Sequence, residues 1–261
     1  MQTEQLQLHS RMEETHWWFT GRRKIIRRLV QQVLPPSAGG TLVDIGCGTG
    51  GNLAAFAGEY NCLGWDPSEE AIRLARRRFP GKQFLSGSLP ETLASLPAPP
   101  DLILLLDVLE HIREDASFFS EIAGVVRPGG YLLITVPAGM ELWSPHDVTF
   151  GHFRRYNRPE LERLWEKESL SPLLFSHYNA RLYPVVRCVR FWTRHRGQTL
   201  GEGQSDFQVP PAPINRLLEG VLSSEADELV RCLRGDRRRG FSQGVSLIAL
   251  LQKQEGSRRA F

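Results

Sequence analysis

Apolar and polar residues follow two different periods along this chain, and the changes between them predict a series of strands and helices. Apolar runs of strand length lie at residues 42–45, 62–65, 84–85, 101–106 and 131–136. Segments with apolar residues at helical spacing separate these runs, and they begin near residue 51, at residues 67–68 and around residue 118. Such alternation is typical of a doubly wound α/β sheet with right-handed crossovers.

The pattern after the fifth run is less regular and predicts two more strands separated by an insertion. A helix starting at Pro159 and capped by Asn157 precedes a sixth strand at residues 173–175, and residues 244–251 form a seventh. Between these strands lie an arginine-rich helical stretch and a loop rich in Gly and Pro at residues 197–213. An amphipathic helix follows, and its apolar face carries Ile214, Leu217, Leu218, Val221 and Leu222.

A glycine-rich turn after the first strand is the most informative motif of the chain. It reads Asp-x-Gly-x-Gly-x-Gly from Asp44 to Gly50, and Asp66 follows at the end of the second strand. Glycine permits positive φ and lets a ligand approach the backbone closely. The dinucleotide pattern Gly-x-Gly-x-x-Gly directs a helix N-terminus at a pyrophosphate, whereas an acid inside the turn would repel phosphate and suit a cation. The alternative is an ordinary turn of a flavodoxin-like sheet with two solvated strand-end acids.

This turn resembles the first motif of the class I S-adenosylmethionine-dependent methyltransferases. Residues 107–112 (Asp-Val-Leu-Glu-His-Ile) and residues 127–130 (Arg-Pro-Gly-Gly) resemble the fourth and fifth motifs of the same family. The resemblance implies a seven-stranded, mostly parallel sheet in the order 3-2-1-4-5-7-6 with an antiparallel last strand. It also implies four parts: an N-terminal helical cap (1–40), the cofactor-binding core (41–177), a helical insertion (178–240), and the last strand with a tail (241–261).

The same resemblance implies S-adenosylmethionine as the cofactor and assigns positions to its parts. The methionine part would lie against Asp44, Gly46, Cys47, Gly48 and Gly50. The ribose would lie at Asp66 and Pro67, the adenine edge at Ser88 and Leu89, and the reacting centre at Asp107 and Val108. Ser88 is a departure, because many relatives carry an acid there that binds the adenine amino group.

Three adjacent aromatic residues precede a basic amphipathic helix near the N-terminus, in the run His16-Trp17-Trp18-Phe19. One helical face cannot bury all three. A subset of the methyltransferases, often associated with cell-surface glycan or lipid pathways, carries a similar segment that closes over the cofactor. The resemblance implies that Arg22 pairs with the cofactor carboxylate and that Trp18 is a lid. The alternative is that both residues only pack the helix on the sheet.

The segment from residue 146 to residue 156 follows the fifth strand, where loops at the carboxyl edge of an α/β sheet form binding pockets. Histidine is suited to accept a proton near neutral pH, so His152 or His146 is the predicted general base. Arg154 or Arg155 is the predicted anchor for an anionic acceptor, with Asp147 and Tyr156 beside them. The alternative is a loop held by a salt bridge between Arg155 and Asp147. His111 is predicted to start a helix or to line the pocket wall.

Composition and charge limit the partners, metal sites and locations that the sequence predicts. The net charge is only +3, so no nucleic-acid partner is required, and the Asn-Pro-Pro-Tyr type motif of base methylation is absent. Four cysteines without C-x-x-C spacing argue against a zinc site, so the sequence predicts no metal and reduced thiols in a cytoplasmic protein. The first residues lack the apolar stretch of a signal peptide, and no apolar run is long enough to cross a bilayer.

The insertion contains a basic amphipathic stretch with an aromatic residue, which is the pattern of an interfacial membrane contact. Its apolar residues are Val185, Val186, Val189 and Trp192, and its basic residues are Arg181, Arg187, Arg190, Arg194 and Arg196. A second basic cluster lies at residues 237–239. These residues predict peripheral contact with the inner membrane face; the alternative is core packing with a solvated basic face.

Together these features predict a methyltransferase that acts on a small or a lipid- or sugar-linked acceptor, by in-line transfer to oxygen. A carbon methyltransferase of the quinone-biosynthesis type remains an alternative, because it would share the same cofactor motifs. A non-catalytic cofactor-binding or scaffold domain is the alternative outside the enzymes.

Overall fold

Two helices form the N-terminal part of the computed structural model, α1 (Thr3–Thr15) and α2 (Trp17–Val33). The structure describes residues 3–56, 58–196, 208–236 and 239–255. His16, between the two helices, caps α2, because its Nδ1 accepts a hydrogen bond of 3.2 Å from the backbone N–H of Trp18. The apolar face of α2, which includes Ile25 and Leu29, packs on the central sheet.

Seven strands form that sheet, in the order β3-β2-β1-β4-β5-β7-β6. The strands are β1 (Thr41–Ile45), β2 (Asn61–Trp65), β3 (Gln83–Leu85), β4 (Leu102–Leu106), β5 (Tyr131–Pro137), β6 (Leu170–Tyr178) and β7 (Ser246–Lys253). The pairs among β1 to β5 are parallel, whereas β7 is antiparallel to both β5 and β6. The predicted seven-stranded doubly wound sheet is confirmed, including its strand order and its antiparallel last strand.

Helices cover both faces of the sheet. Those between the first six strands are α3 (Gly51–Ala54), α4 (Glu69–Arg78), α5 (Leu89–Ala94), α6 (Asp115–Val125), α7 (Pro145–Thr149) and α8 (Arg158–Glu162). Between β6 and β7 lie α9 (Tyr183–Arg196), α10 (Ala212–Ser223) and α11 (Ala226–Leu233). In β4, Leu104 packs with residues of α2 and α11, whereas Ile103 packs with residues of α6 on the opposite face. Burial on both faces explains why β4 is a continuous apolar run in the sequence.

The structure differs from the sequence prediction mainly after β5. β6 has nine residues rather than the three at 173–175, and a register irregularity lies between Pro172 and Leu174. Polar residues on both sides of the predicted run, Ser171, Ser176 and His177, belong to the strand as well and hide its full length in the sequence. The predicted apolar face of α10 is only partly buried, since Leu222 is fully buried whereas Ile214 is 50% and Leu217 is 65% exposed. The proposed division into four parts stays a prediction.

The parallel strands end together at one edge of the sheet. β1, β2, β4 and β5 all point their carboxyl ends there, and β1 and β4 are neighbours whose chain connections run in opposite directions. Crevices at such a topological switch point are the usual ligand sites of open α/β sheets.

Candidate cofactor and acceptor site

A cavity of about 710 Å³ opens at this edge of the sheet. Its wall combines the start of α2, the glycine-rich turn, the residues that follow β4, the segment after β5 and one face of α9. Trp18, Arg22, Asp66, His152 and Arg155 all line it. The cavity therefore brings together predicted cofactor residues and predicted acceptor residues from distant parts of the chain.

The glycine-rich turn has the backbone that its sequence predicts. Gly46 and Gly48 have φ values of 76° and 54°, a region that side chains disfavour. A Cβ atom on Gly46 would lie 2.6 Å from Cγ2 of Val108, so this contact requires glycine. The carboxylate of Asp66 holds the turn, because Oδ2 accepts the N–H of Gly48 and Oδ1 accepts the N–H of Ser68, each at 2.9 Å.

An arginine and an aspartate form an ion pair at the centre of the cavity. Nη1 of Arg22 lies 2.5 Å from Oδ2 of Asp107, and the Arg22 side chain is 4% exposed. Nε and Nη2 of Arg22 are buried without a hydrogen-bond partner among the described residues. Asp107 has a φ of 57° and is held by Thr135, whose hydroxyl donates to Oδ1 and whose carbonyl accepts the Asp107 N–H. Such strain at a cavity wall is typical of functional positions.

Asp44 lies behind the turn and is 1% exposed. Burial raises the pKa of its carboxyl to about 8, against the opposing effect of the Arg22 charge. The two unpaired donors of Arg22 point to a ligand with a carboxylate, and the open backbone at Gly48 leaves room for it. The residues present therefore fit the amino-acid part of S-adenosylmethionine.

All three aromatic residues of the run line the cavity, and they also pack against the protein interior. The guanidinium of Arg22 lies over the Trp18 ring at 4.8 Å, and Trp17 and Trp18 line the cavity. Phe19 is 2% exposed and packs in a cluster with Leu8 of α1. Trp18 lines the cavity and also packs against the interior, so its lid role and the packing alternative for Trp18 and Arg22 both stay predictions.

Glu13 was missed by the sequence analysis, although it connects α1 to the cofactor turn. It is 2% exposed, and its Oε2 accepts hydrogen bonds from the Thr49 hydroxyl at 2.7 Å and from Nη1 of Arg78 at 2.6 Å. No sequence motif marks this residue, because Thr49 and Arg78 lie 36 and 65 positions away from it.

The remaining predicted cofactor residues lie at different distances from the cavity. Cys47 and Pro67 line it, and burial raises the pKa of the Cys47 thiol. Gly50, with a φ of 84°, precedes α3. Ser88 caps α5 through a hydrogen bond of 3.5 Å from the Glu91 N–H to its hydroxyl oxygen. The described cavity wall includes Gly46, Gly48 and Val108, but neither Ser88, Leu89, Asp44 nor Gly50.

Asp147 is the centre of a buried network after β5. Its carboxylate accepts hydrogen bonds from the Ser144 N–H at 2.8 Å and from Nε of Arg155 at 2.8 Å. Nδ1 of His152 lies 2.9 Å from Oδ1, and Nη1 of Arg190 lies 3.2 Å from Oδ2. Burial would raise the pKa of Asp147, but the His152 hydrogen bond and the two arginine charges outweigh it and lower the pKa. The salt bridge that the sequence analysis named as its alternative is present.

The three histidines beside this network are close neighbours. The ring centroids of His111 and His152 are 4.7 Å apart, and those of His146 and His152 are 6.3 Å apart. Burial, together with His152, lowers the pKa of His111 to about 4. Burial and the Arg190 charge lower the pKa of His146 well below its usual value. His111 and His146 are therefore neutral near pH 7.

Arg154 and Tyr156 face away from the described cavity wall. Nη1 of Arg154 pairs with Oδ2 of Asp115 at 2.7 Å, and the Tyr156 hydroxyl donates to the same oxygen at 2.7 Å. Both residues thus anchor the segment to α6. Of the two arginines predicted to anchor the acceptor, Arg155 lines the cavity and Arg154 does not.

Helix α9 closes one side of the cavity with Val186 and Val189. Arg190, which the sequence analysis placed with the other arginines of this helix, turns inward instead, and its Nη1 also donates to the Leu142 carbonyl at 2.7 Å. Phe191 and Trp192 are 59% and 61% exposed. The side chains of Arg194 and Arg196 and residues 237–238 lie outside the described part. Over the described ranges, every helix is too short or too polar to cross a bilayer.

Comparison with known proteins agrees with this geometry. The sequence model described as "Methyltransferase domain" matches residues 18–171, more than half of the chain. A probable S-adenosylmethionine-dependent methyltransferase of Mycolicibacterium smegmatis is 29% identical over 248 residues, covering 92% of this chain and 90% of that protein. A trans-aconitate 2-methyltransferase of Azoarcus sp. is 27% identical over 175 residues, covering 66% of each chain.

The fold is shared with solved structures. A complex between the Haloferax volcanii Trm112 methyltransferase activator and a methyltransferase matches with a TM-score of 0.55 at 18% identity, covering 94% of this chain and 93% of that chain. Fold, cofactor turn and sequence match agree, so this chain belongs to the class I S-adenosylmethionine-dependent methyltransferases and is an enzyme of that family.

Proposed function

We propose that this enzyme transfers the methyl group to an oxygen atom of a small acidic acceptor, or of a lipid- or sugar-linked one, bound in the cavity. The proposal rests on one observation. The predicted cofactor residues Arg22 and Asp107 line the same cavity as the predicted acceptor residues His152 and Arg155. S-adenosylmethionine supplies an electrophilic methyl group on a sulfonium. The chain's own residues then have to align the acceptor and exclude water.

The binding of the cofactor is assigned to residues at three points of the wall. Arg22 would hold the carboxylate with Nε and Nη2, which are buried and lack other hydrogen-bond partners among the described residues. Asp66 would face the ribose, and Trp18 would cover the site. Ser88 and Leu89 remain proposals for the adenine end.

The acceptor side offers cationic anchors and a proton acceptor. Arg155 suits a carboxylate or phosphate on the acceptor, which agrees with the small acid named for the Azoarcus relative. Removal of the hydroxyl proton is assigned to His152 or His146. A hydroxyl acceptor needs such a base, whereas a carboxylate acceptor is already ionised near pH 7 and needs none. For a hydroxyl, an imidazole held by a buried carboxylate is oriented to accept the proton.

The exposed apolar face of α9 supports an amphipathic acceptor. Val185 both lines the cavity and is 61% exposed, so this face borders the cavity entrance. We propose peripheral contact of this face with the cytoplasmic leaflet, and a cytoplasmic location agrees with the four free cysteines. Sedimentation with anionic vesicles at low salt tests the contact. Wild-type protein should co-sediment more than Trp192→Ala, and equal sedimentation of the two proteins would reject it.

The cofactor assignment is tested by replacing Arg22 with Gln and titrating S-adenosylhomocysteine calorimetrically. Loss of charge-assisted hydrogen bonds worth about 1.5–3 kcal/mol should weaken binding about 10- to 150-fold. Arg28→Gln is the matched control, because Arg28 lies on the same helix in an exposed pair with Asp227. Equal affinity of both variants and wild type would remove Arg22 from the site.

The reaction itself is tested with methyl-labelled cofactor and a panel of acceptors. Label should appear on oxygen of a carboxylic acid or a hydroxylated lipid or sugar derivative, and His152→Ala should lower turnover while cofactor affinity stays unchanged. Label on carbon of a quinone precursor would favour the alternative enzyme class. Cofactor binding without release of S-adenosylhomocysteine in cell extract would indicate a scaffold.

A further inference from the structure

One carboxylate and two imidazoles lie close together in the part of the cavity assigned to the acceptor, and none of them is assigned to cofactor binding. Glu110 follows β4, His111 is its neighbour, and His152 comes from the segment after β5. One candidate ligand atom from each of the three lies within 4.8 Å of the others. All three residues line the cavity.

Glu110 carries the strongest sign of an additional ligand. Its side chain is fully buried, and neither carboxylate oxygen has a hydrogen-bond partner of normal geometry on another described residue. A buried carboxylate in this state is costly unless it is paired, protonated or bound to a metal.

Both histidines are oriented as metal ligands usually are. Nδ1 of His152 faces the buried carboxylate of Asp147 at 2.9 Å, which leaves Nε2 as the ligating atom. The His111 ring is hydrogen-bonded to the backbone of Gly151, which leaves its second nitrogen. Histidines that bind metals almost always donate their other ring N–H to a carboxylate or a carbonyl.

We propose that Glu110, His111 and His152 bind a divalent cation that prefers mixed nitrogen and oxygen ligands, such as Zn²⁺ or Mn²⁺. Three protein ligands and an open position are the arrangement of catalytic metal sites, and two imidazoles disfavour Mg²⁺. The absence of C-x-x-C spacing, from which the sequence analysis predicted no metal, does not bear on a site built from these residues.

The cation has a role that deepens the proposed function and rests on it. An acceptor hydroxyl at the open position would become more acidic and would lose its proton to His146, because His152 is then a ligand. The oxygen forms its bond to the methyl carbon as the carbon–sulfur bond breaks, and the sulfur keeps the electron pair. Cation binding itself does not depend on the identity of the acceptor.

The test measures cation binding apart from catalysis. Protein without an affinity tag is treated with EDTA, dialysed, and titrated with ZnCl2, MnCl2 and MgCl2 by calorimetry, with metal content checked by elemental mass spectrometry. Wild type should bind Zn²⁺ or Mn²⁺ at one ion per chain, more tightly than Mg²⁺. Glu110→Gln and His152→Ala should weaken this binding at least about tenfold.

His195→Ala is the matched control, because His195 is an exposed histidine on α9, and it should bind the cation as wild type does. S-adenosylhomocysteine affinity, measured on the same samples, shows that each variant is folded and tests the cofactor site separately. The inference would be overturned if wild type bound S-adenosylhomocysteine but bound neither Zn²⁺ nor Mn²⁺ stoichiometrically. Equal cation affinity in all four proteins would also overturn it.

Discussion

Replacing Asp147 with Asn should destabilise the protein far more than its conservative chemistry suggests. Asp147 is fully buried and accepts hydrogen bonds from Ser144, Arg155 and Arg190 while it faces Nδ1 of His152. Asparagine has nearly the same size but lacks the charge, and its NH2 group would face donors. The change leaves the buried guanidinium of Arg155, which is 4% exposed, without its counter-charge.

The expected magnitude follows from this burial. Breaking a buried ion pair by removing one partner costs about 3–5 kcal/mol. For a chain of this size each kcal/mol shifts the melting temperature by about 2–4 °C, so Tm should fall by roughly 6–20 °C. Thermal denaturation followed by circular dichroism at pH 7 measures this change.

The lowered pKa of Asp147 determines how the Tm difference between wild type and Asp147→Asn changes with pH. The pKa of Asp147 is lowered in the folded protein, so its stabilising contribution is complete above the unfolded value of about 3.9. The contribution is lost as the pH falls through the folded pKa. The Tm difference between wild type and Asp147→Asn should therefore be constant from pH 6 to pH 8 and should narrow below about pH 4.

An exposed ion pair provides the control. Glu70 and Arg73 pair on the surface of α4, and Glu70→Gln should leave Tm unchanged within experimental error. If Asp147→Asn melted at the same temperature as Glu70→Gln, the buried network would not hold the acceptor segment and the reasoning would be refuted.

Two further substitutions examine the cofactor side. Glu13→Gln removes a buried partner of Arg78 and should lower both Tm and affinity for S-adenosylhomocysteine, whereas Glu14→Gln, whose side chain is 64% exposed, should change neither; equal behaviour of the two variants would contradict the role of Glu13. Gly46→Ala places a methyl group 2.6 Å from Val108 at a φ of 76°, so titration should show S-adenosylhomocysteine binding weakened at least about tenfold. Gly58→Ala, with open space around its Cβ, should bind normally, and normal binding by both variants would refute the steric argument.

The fold was predictable where burial imposes a local pattern. β1 to β5 were located because each is an apolar run bounded by turn residues, and β4 is covered on both faces. β6 was placed but predicted too short, because Ser171 and Pro172 on one side and Ser176 and His177 on the other interrupt its apolar pattern. α5, α7 and α11 were not predicted, because they have only 6, 5 and 8 residues, too few turns to establish a helical period.

The candidate site was predictable to the extent that its residues are neighbours in the chain. The glycine-rich turn and the Asp147 segment are each contiguous, so their chemistry could be inferred from composition and spacing. Arg190 was interpreted as part of a basic helical face, because nothing near it in the sequence reveals that its guanidinium reaches Asp147. His111 was expected at a helix start or in the pocket wall, and it lines the cavity beside His152.

The amino-acid sequence by itself determined the succession of the seven strands along the chain, the backbone of the cofactor turn and the family, because these depend on periodicity and on contiguous motifs. Only the tertiary structure decided which charges meet: Glu13 with Arg78, Arg22 with Asp107, and Glu110 with the two histidines. The physical reason is that electrostatic contacts form between groups brought together by packing, and their energies depend on burial that no local sequence pattern encodes.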